Sequence, residues 1–202
     1  MKIGIDFDNT IVNYETLFFE IASKLGLLPA GIATSKNSVK GFLKGAGRDD
    51  EWTKLQGEVY GYYIKDAPPF ENCIEVLKNL ARDGHEVFIV SHKTKYPYVG
   101  EKYDLHMAAN RWIENNLLNN GAIRIPKQNI TFNNHLIQKI EKISKLGLDV
   151  FVDDLVDVLE HPAFPKNVNK IHFSAKDESY SGELAHCSDW LCVYKKISDF
   201  NF

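Results

Sequence analysis

Lys2-Ile3-Gly4-Ile5-Asp6-Phe7-Asp8-Asn9-Thr10-Ile11 opens the chain and decides how the rest of it is read. A short apolar run feeds two carboxylates that stand one residue apart. In a strand, Ile3, Ile5 and Phe7 point to one side, Asp6 and Asp8 to the other. Two acids together at the end of a buried strand repel each other and lose hydration, so something must offset the cost. A divalent cation that favours oxygen ligands does so, and Mg²⁺ is the first expectation.

Two further stretches repeat the pattern of an apolar strand ending in polar groups. Val87-Phe88-Ile89-Val90 runs into Ser91, and Val150-Phe151-Val152 runs into Asp153 and Asp154, with Asp157 close behind. Helical spacing fills the intervals. It is carried by Leu17, Phe18, Ile21, Ala22 and Leu25 in 14–28, and by Ile74, Leu77 and Leu80 in 71–82, where Gly84 stops the helix. It returns with Leu105, Ala108, Ala109, Trp112 and Ile113 in 102–116, and with Leu136, Ile137, Ile140, Ile143 and Leu146 in 134–146. Short strands are predicted at 129–132 and 170–173, and the tail from Trp190 is ordered but ambiguous in type.

Strands alternating with helices predict an α/β fold: a three-layer, Rossmann-like, mainly parallel sheet with helices on both faces. In such sheets the ligand lies beyond the carboxyl ends of the strands. Asp6 and Asp8, Ser91, and Asp153 and Asp154 then converge on one edge. Residues 14–66 interrupt the alternation. Gly31, Gly41, Gly45, Gly47, Gly57 and Gly61 break the helical pattern there, Asp49 is placed to cap a short helix through Trp52 and Leu55, and Pro68-Pro69 marks a boundary. This predicts a small helical domain at 14–66 inserted into a core of 1–13 and 67–202. Trp52, Tyr60, Tyr62 and Tyr63 are read as the core of that insert in preference to a stacking platform.

The 202 residues are 44% hydrophobic and 25% charged, the balance of a soluble globular protein. A net charge of −3 argues against broad affinity for nucleic acid, and Lys93, Lys95, Lys102 and Lys166 are too dispersed to form a track for a strand. No apolar run approaches the ~20 residues of a membrane span, and the opening residues lack the apolar region of a signal peptide. Cys73, Cys187 and Cys192 have no metal-like spacing. They are expected to be free thiols of a cytoplasmic protein, with a Cys187–Cys192 pairing as the alternative. His85 follows Gly84 in a turn and is read as structural, and no two of His135, His161, His172 and His186 stand at metal-ligand spacing.

With its strand ends in order, the chain resembles the haloacid dehalogenase superfamily of phosphotransferases. The hhhDxDxT motif is matched by Ile3-Gly4-Ile5-Asp6-Phe7-Asp8-Asn9-Thr10, and the strand ending in Ser or Thr by Phe88-Ile89-Val90-Ser91. The lysine ahead of the last acidic strand is matched by Lys139, with Lys142 next in order. The acidic pair followed by another acid is matched by Val152-Asp153-Asp154-Leu155-Val156-Asp157. The likeness covers roughly 1–13 and 67–175, and the insert resembles the small helical cap of the C1 type. The first and fourth motifs together are specific, whereas the second alone carries little weight.

The resemblance implies Asp6 as the nucleophile, forming an aspartyl-phosphate and so splitting hydrolysis into two easier steps. It implies Asp8 as the acid that protonates the leaving alkoxide and then deprotonates the attacking water, its carbonyl also reaching the metal. Ser91 and Lys139 would hold the phosphoryl oxygens. Mg²⁺ would be held through Asp6, Asp8 and Asp153, with Asp154 or Asp157 in support. Thr10, expected to fix its loop through the hydroxyl, and His92 and Lys93 complete the expected substrate-binding rim. The implied activity is Mg²⁺-dependent hydrolysis of a small soluble phosphomonoester: a sugar phosphate, an amino-alcohol phosphate or a nucleotide. A 5′-(deoxy)nucleotidase is the rival within the enzyme class, and a catalytically silent phosphate-binding domain the rival outside it. Neither nucleic acid nor a membrane is expected as a partner. Dehalogenase activity is disfavoured, because that branch typically lacks the second acid and Asp8 is present.

Overall fold

A computed structural model describes residues 1–119, 123–174 and 184–200. Six strands form one sheet: β1 Lys2–Ile5, β2 Glu86–His92, β3 Ile130–Asn133, β4 Val150–Asp153, β5 Asn169–Phe173 and β6 Ala185–Cys187. The helices of the described residues are α1 Leu17–Lys24, α2 Lys36–Gly45, α3 Asp49–Tyr60, α4 Cys73–Arg82, α5 Leu105–Ile113, α6 Leu136–Leu146, α7 Val156–Leu159 and α8 Trp190–Asp199.

The strand order is β3-β2-β1-β4-β5-β6, and every pairing is parallel. From β1 the chain steps outward through β2 to β3, then returns to β4 on the other side of β1. That reversal opens a crevice at the carboxyl ends of β1 and β4, where ligands of such sheets bind. The register aligns the three polar strand ends. Ile5 lies opposite both Ile89 and Val152, and the Asp6 amide donates to the Val152 carbonyl at 2.9 Å. Asp6 is therefore level with Asp153 and one residue short of Ser91.

The chain divides into two compact units. The first is Met1–Val12, Pro69–Lys93 and Leu117–Phe202, which holds the sheet. Strands covered on both faces need near-continuous apolar sequence, and Ile3, Ile5, Ile89, Val90 and Val152 are fully buried. One core cluster joins Phe88 and Val90 of β2, Ile143 of α6, Phe151 of β4 and Leu159 of α7 to Leu148, Phe164 and Val168. Gly4 is small by necessity: a Cβ there would collide with Leu148 Cδ1 and lie 2.6 Å from Phe151 Cδ2. The ambiguous tail is helix α8, capped by Asp189, whose carboxylate accepts from the Cys192 amide at 2.8 Å. The edge strand β6 was not foreseen in the sequence. Cys187 at its end is disulfide-bonded to Cys192 in the first turn of α8, with Cα atoms 5.4 Å apart, which corrects the expectation of three free thiols. Only the sharp turn between β6 and α8 brings them together, and spacing alone does not reveal it. Cys73 remains free and buried.

The second unit is Asn13–Pro68 with Thr94–Asn116, so the helical stretch assigned to the core from sequence clusters with the insert. The reason is packing. Trp112 of α5 is 2% exposed and its indole N–H donates to the Ala67 carbonyl at 2.8 Å, while the Tyr103 hydroxyl donates to Glu58 of α3 at 3.0 Å. Burial, aided by the Glu58 carboxylate, pushes the Tyr103 phenol up to about 12. Helix α2 was also missed. Its Gly41 and Gly45 face open space and cost only propensity, while Ser35 caps it by accepting from the Ser38 amide at 3.0 Å. Asp49 is the first residue of α3 and Arg48 its cap, one residue earlier than expected. The aromatics divide. Trp52 stacks on Phe18 in the core with centroids 5.1 Å apart, and the half-buried Tyr60 meets Tyr14 edge-on at 5.0 Å. Tyr62 is 53% exposed and lines a cavity of about 530 Å³ with Ile64, Tyr103, Met107 and Trp112. No helix of the described residues is long and apolar enough to cross a membrane.

Candidate active site

The chain leaves β1 through a tight hook. Asn9 takes the left-handed conformation at φ 58°, which asparagine tolerates better than most side chains. The Ile11 and Val12 amides donate back to the Phe7 carbonyl at 3.1 and 3.0 Å, and the Asn9 amide to the Val12 carbonyl at 3.0 Å. The hook is closed from the far end of the chain, where the buried Trp190 indole N–H donates to the Thr10 carbonyl at 3.0 Å. Thr10 thus fixes the loop through its backbone. Its hydroxyl, expected to do so, is buried without a partner among the described residues.

Asp6 and Asp153 are both buried, and Lys139 lies between them. Its ammonium donates to Asp6 Oδ1 and Asp153 Oδ2, each at 2.6 Å. Lys139 enters from the first turns of α6, where Gln138 Oε1 accepts from the His135 amide at 3.3 Å and steadies the helix start. Of the lysines on this helix it is the buried one: Lys142 is only partly covered, and Lys145 pairs with Glu141 at 3.6 Å. Asp153 Oδ1 also accepts from the Leu155 amide at 3.1 Å, so its rotamer is set from two sides. Burial pushes the Asp6 carboxyl up to about 7; Lys139 works against this, and Asp153 and Asp8 add to it. Burial pulls the Lys139 ammonium down, but Asp153 and Asp6 together outweigh it and leave it above its ordinary value.

Asp6, Asp153 and Asp154 offer carboxylate oxygens that all lie within 4.8 Å of one another. An all-oxygen set of this charge fits a hard cation such as Mg²⁺ and would not suit a soft one. A divalent ion here would also favour the ionised form of Asp6, against its burial. Asp157, offered from sequence as an alternative ligand, does not join them: it is exposed in the first turn of α7. The short turn after β4 carries the chain away before that residue is reached.

Asp8 stands apart from the trio. Both of its oxygens accept from the Lys93 ammonium, Oδ1 at 2.9 Å and Oδ2 at 2.8 Å. Ser91 is 1% exposed, and its hydroxyl has no partner among the described residues. A buried orphan hydroxyl at a strand end is costly unless a ligand satisfies it. His92 Nε2 lies 3.3 Å from the Asn134 carbonyl, and burial holds its pKa below the ordinary value. The role of Trp190 was not legible in the sequence, because it stands 180 positions from Thr10 and carries no local signal.

No family model matches the chain, and no curated protein matches it by sequence. Solved structures do match by fold. A haloacid dehalogenase family hydrolase from Deinococcus radiodurans, with bound phosphate and sodium, superposes with TM-score 0.60 at 10% identity, over 99% of this chain and 96% of that one. A hydrolase of the same superfamily from Ehrlichia chaffeensis gives TM-score 0.56 at 13% identity, over 100% and 97%. A phosphoserine phosphohydrolase-like protein from Francisella tularensis gives TM-score 0.53 at 15% identity, over 98% and 100%. The chain has the α/β fold of haloacid dehalogenase superfamily hydrolases.

Proposed function

We propose that the protein is a phosphomonoesterase acting on a small soluble metabolite through an aspartyl-phosphate on Asp6. The observation that carries this reading is one constellation. A buried carboxylate at the end of the central strand is hydrogen-bonded to a buried lysine, with two more carboxylates and the orphan Ser91 hydroxyl at adjacent strand ends. That is the composition needed to bind a phosphoryl group and neutralise its charge, which is most of the work in phosphoryl transfer.

An Asp6 oxygen attacks phosphorus and the bond to the ester oxygen breaks, the departing oxygen taking a proton from Asp8. Water then attacks the phosphoryl group and gives its proton to Asp8, releasing inorganic phosphate and restoring Asp6. Lys139 and Ser91 donate to the non-bridging oxygens. Mg²⁺, held by Asp6, Asp153 and Asp154, would supply further neutralisation of the phosphoryl charge.

The test is phosphate release across a broad panel of phosphomonoesters with Mg²⁺, beside Asp6→Asn and an EDTA control. Selective turnover that disappears in both is expected, and the preferred ester names the substrate class. Turnover that survives Asp6→Asn would refute the nucleophile.

A further inference from the structure

Lys93 lies two residues beyond Ser91, where a cation invites assignment to the substrate phosphate. Its surroundings point elsewhere. The side chain is 3% exposed, and its ammonium donates to both oxygens of Asp8, at 2.9 and 2.8 Å. The ammonium nitrogen lies over the Phe7 ring, 5.7 Å from the centroid. The Lys93 amide donates to the Asn133 carbonyl at 2.9 Å, which continues the β2–β3 ladder one residue past His92. The lysine is therefore mounted on the rigid end of a strand, while Asp8 sits in the hook after β1, beside a residue in the left-handed conformation.

We propose that Lys93 is a positioning residue for Asp8. A carboxylate in a loop has free rotation about two bonds, and a proton-transfer group loses its effect when it strays by an ångström. A cation bonded to both oxygens removes that freedom. Burial supplies the second strand of the argument, since an ammonium withdrawn from water needs a resident hydrogen-bond acceptor in the protein, and a transient substrate phosphate does not meet that need. Lys93 and Lys139 divide the work: one holds the nucleophile and its neighbour Asp153, the other holds the group that moves protons.

This inference rests on the phosphatase reading, and a double-mutant cycle separates the two. Wild type, Lys93→Met, Asp8→Asn and the double variant are compared on 4-nitrophenyl phosphate, whose leaving group needs no protonation, so residual rates stay measurable. Lys93→Met is expected to lower kcat about 10- to 100-fold with KM within about twofold, a part of the 10²–10⁴ carried by general acid–base catalysis, read with this ester through the base role of Asp8 toward the attacking water. In the Asp8→Asn background the same change is expected to cost less than about twofold, because a positioning residue has no effect once the group it positions is gone. Lys93→Gln, which keeps an N–H donor group without the charge, should fall between, and it replaces Lys93→Met if the latter fails to fold. Effects that multiply across the cycle, or a KM raised about tenfold at constant kcat, would make Lys93 a substrate ligand and overturn the proposal. Wild-type silence on every ester would overturn the phosphatase reading and this inference with it.

Discussion

Replacing Lys139 with methionine keeps the volume of the stem and removes the charge between Asp6 and Asp153. Breaking a buried ion pair by deleting one partner costs about 3–5 kcal/mol, because the remaining charge is left unpaired. Here two carboxylates lose the same partner, each bonded at 2.6 Å. With a urea m-value of roughly 2 kcal/mol/M, a loss of about 4 kcal/mol lowers the unfolding midpoint by about 2 M. The pH dependence has a definite sign. Asp6 in the folded protein already titrates near 7 through burial, above its value of 3.8 in the unfolded chain, and removing Lys139 pushes it higher. The folded state then binds more protons than the unfolded one across that window, so stability falls as pH rises through it. Lys139 is held above its ordinary value and stays charged in the wild type throughout. The deficit of Lys139→Met in metal-free buffer should therefore be small at pH 5, roughly 1–2 kcal/mol, and reach its full size near pH 8. Millimolar Mg²⁺ should return part of it by binding only the folded state. A midpoint shift below about 0.5 M that is the same at both pH values would refute the placement of Lys139 as the counter-charge of these acids.

Two other substitutions separate structure from chemistry. Gly4→Ala should cost about 1–3 kcal/mol in thermal unfolding, since the added methyl has no space against Leu148 and Phe151, and an unchanged Tm would show the β1–β4 packing to be looser than described. Ser91→Ala should leave stability within about 0.5 kcal/mol, because its buried hydroxyl has no partner to lose among the described residues, yet lower phosphate release about tenfold or more. A large loss of stability there would mean that the hydroxyl serves the fold instead.

Legibility in the sequence followed the range of the physics. The alternation of Val87–Val90 with the helical spacing of α4 and α6 announced a parallel sheet, since periodicity is a property of neighbours in the chain. Helix α2 escaped because Gly41 and Gly45 lower propensity, while its Ser35 cap and its buried Val39 and Leu43 supply what propensity lacks. Segment 94–116 clusters with the insert, which its sequence does not reveal, because an amphipathic helix shows that it has an apolar face and says nothing of what covers it.

The sequence by itself determined the strand-end acids Asp6, Asp8, Asp153 and Asp154 and the sheet that gathers them, because one-residue spacing and strand period are local and leave few alternatives. Tertiary structure alone decided that Lys139 pairs with Asp6, that Lys93 pairs with Asp8, that Trp190 closes the Thr10 hook and that Cys187 bonds Cys192. It also left Asp157 outside the carboxylate trio. Those pairings depend on where distant segments cross and on which groups lose water together, and neither is written in the order of residues.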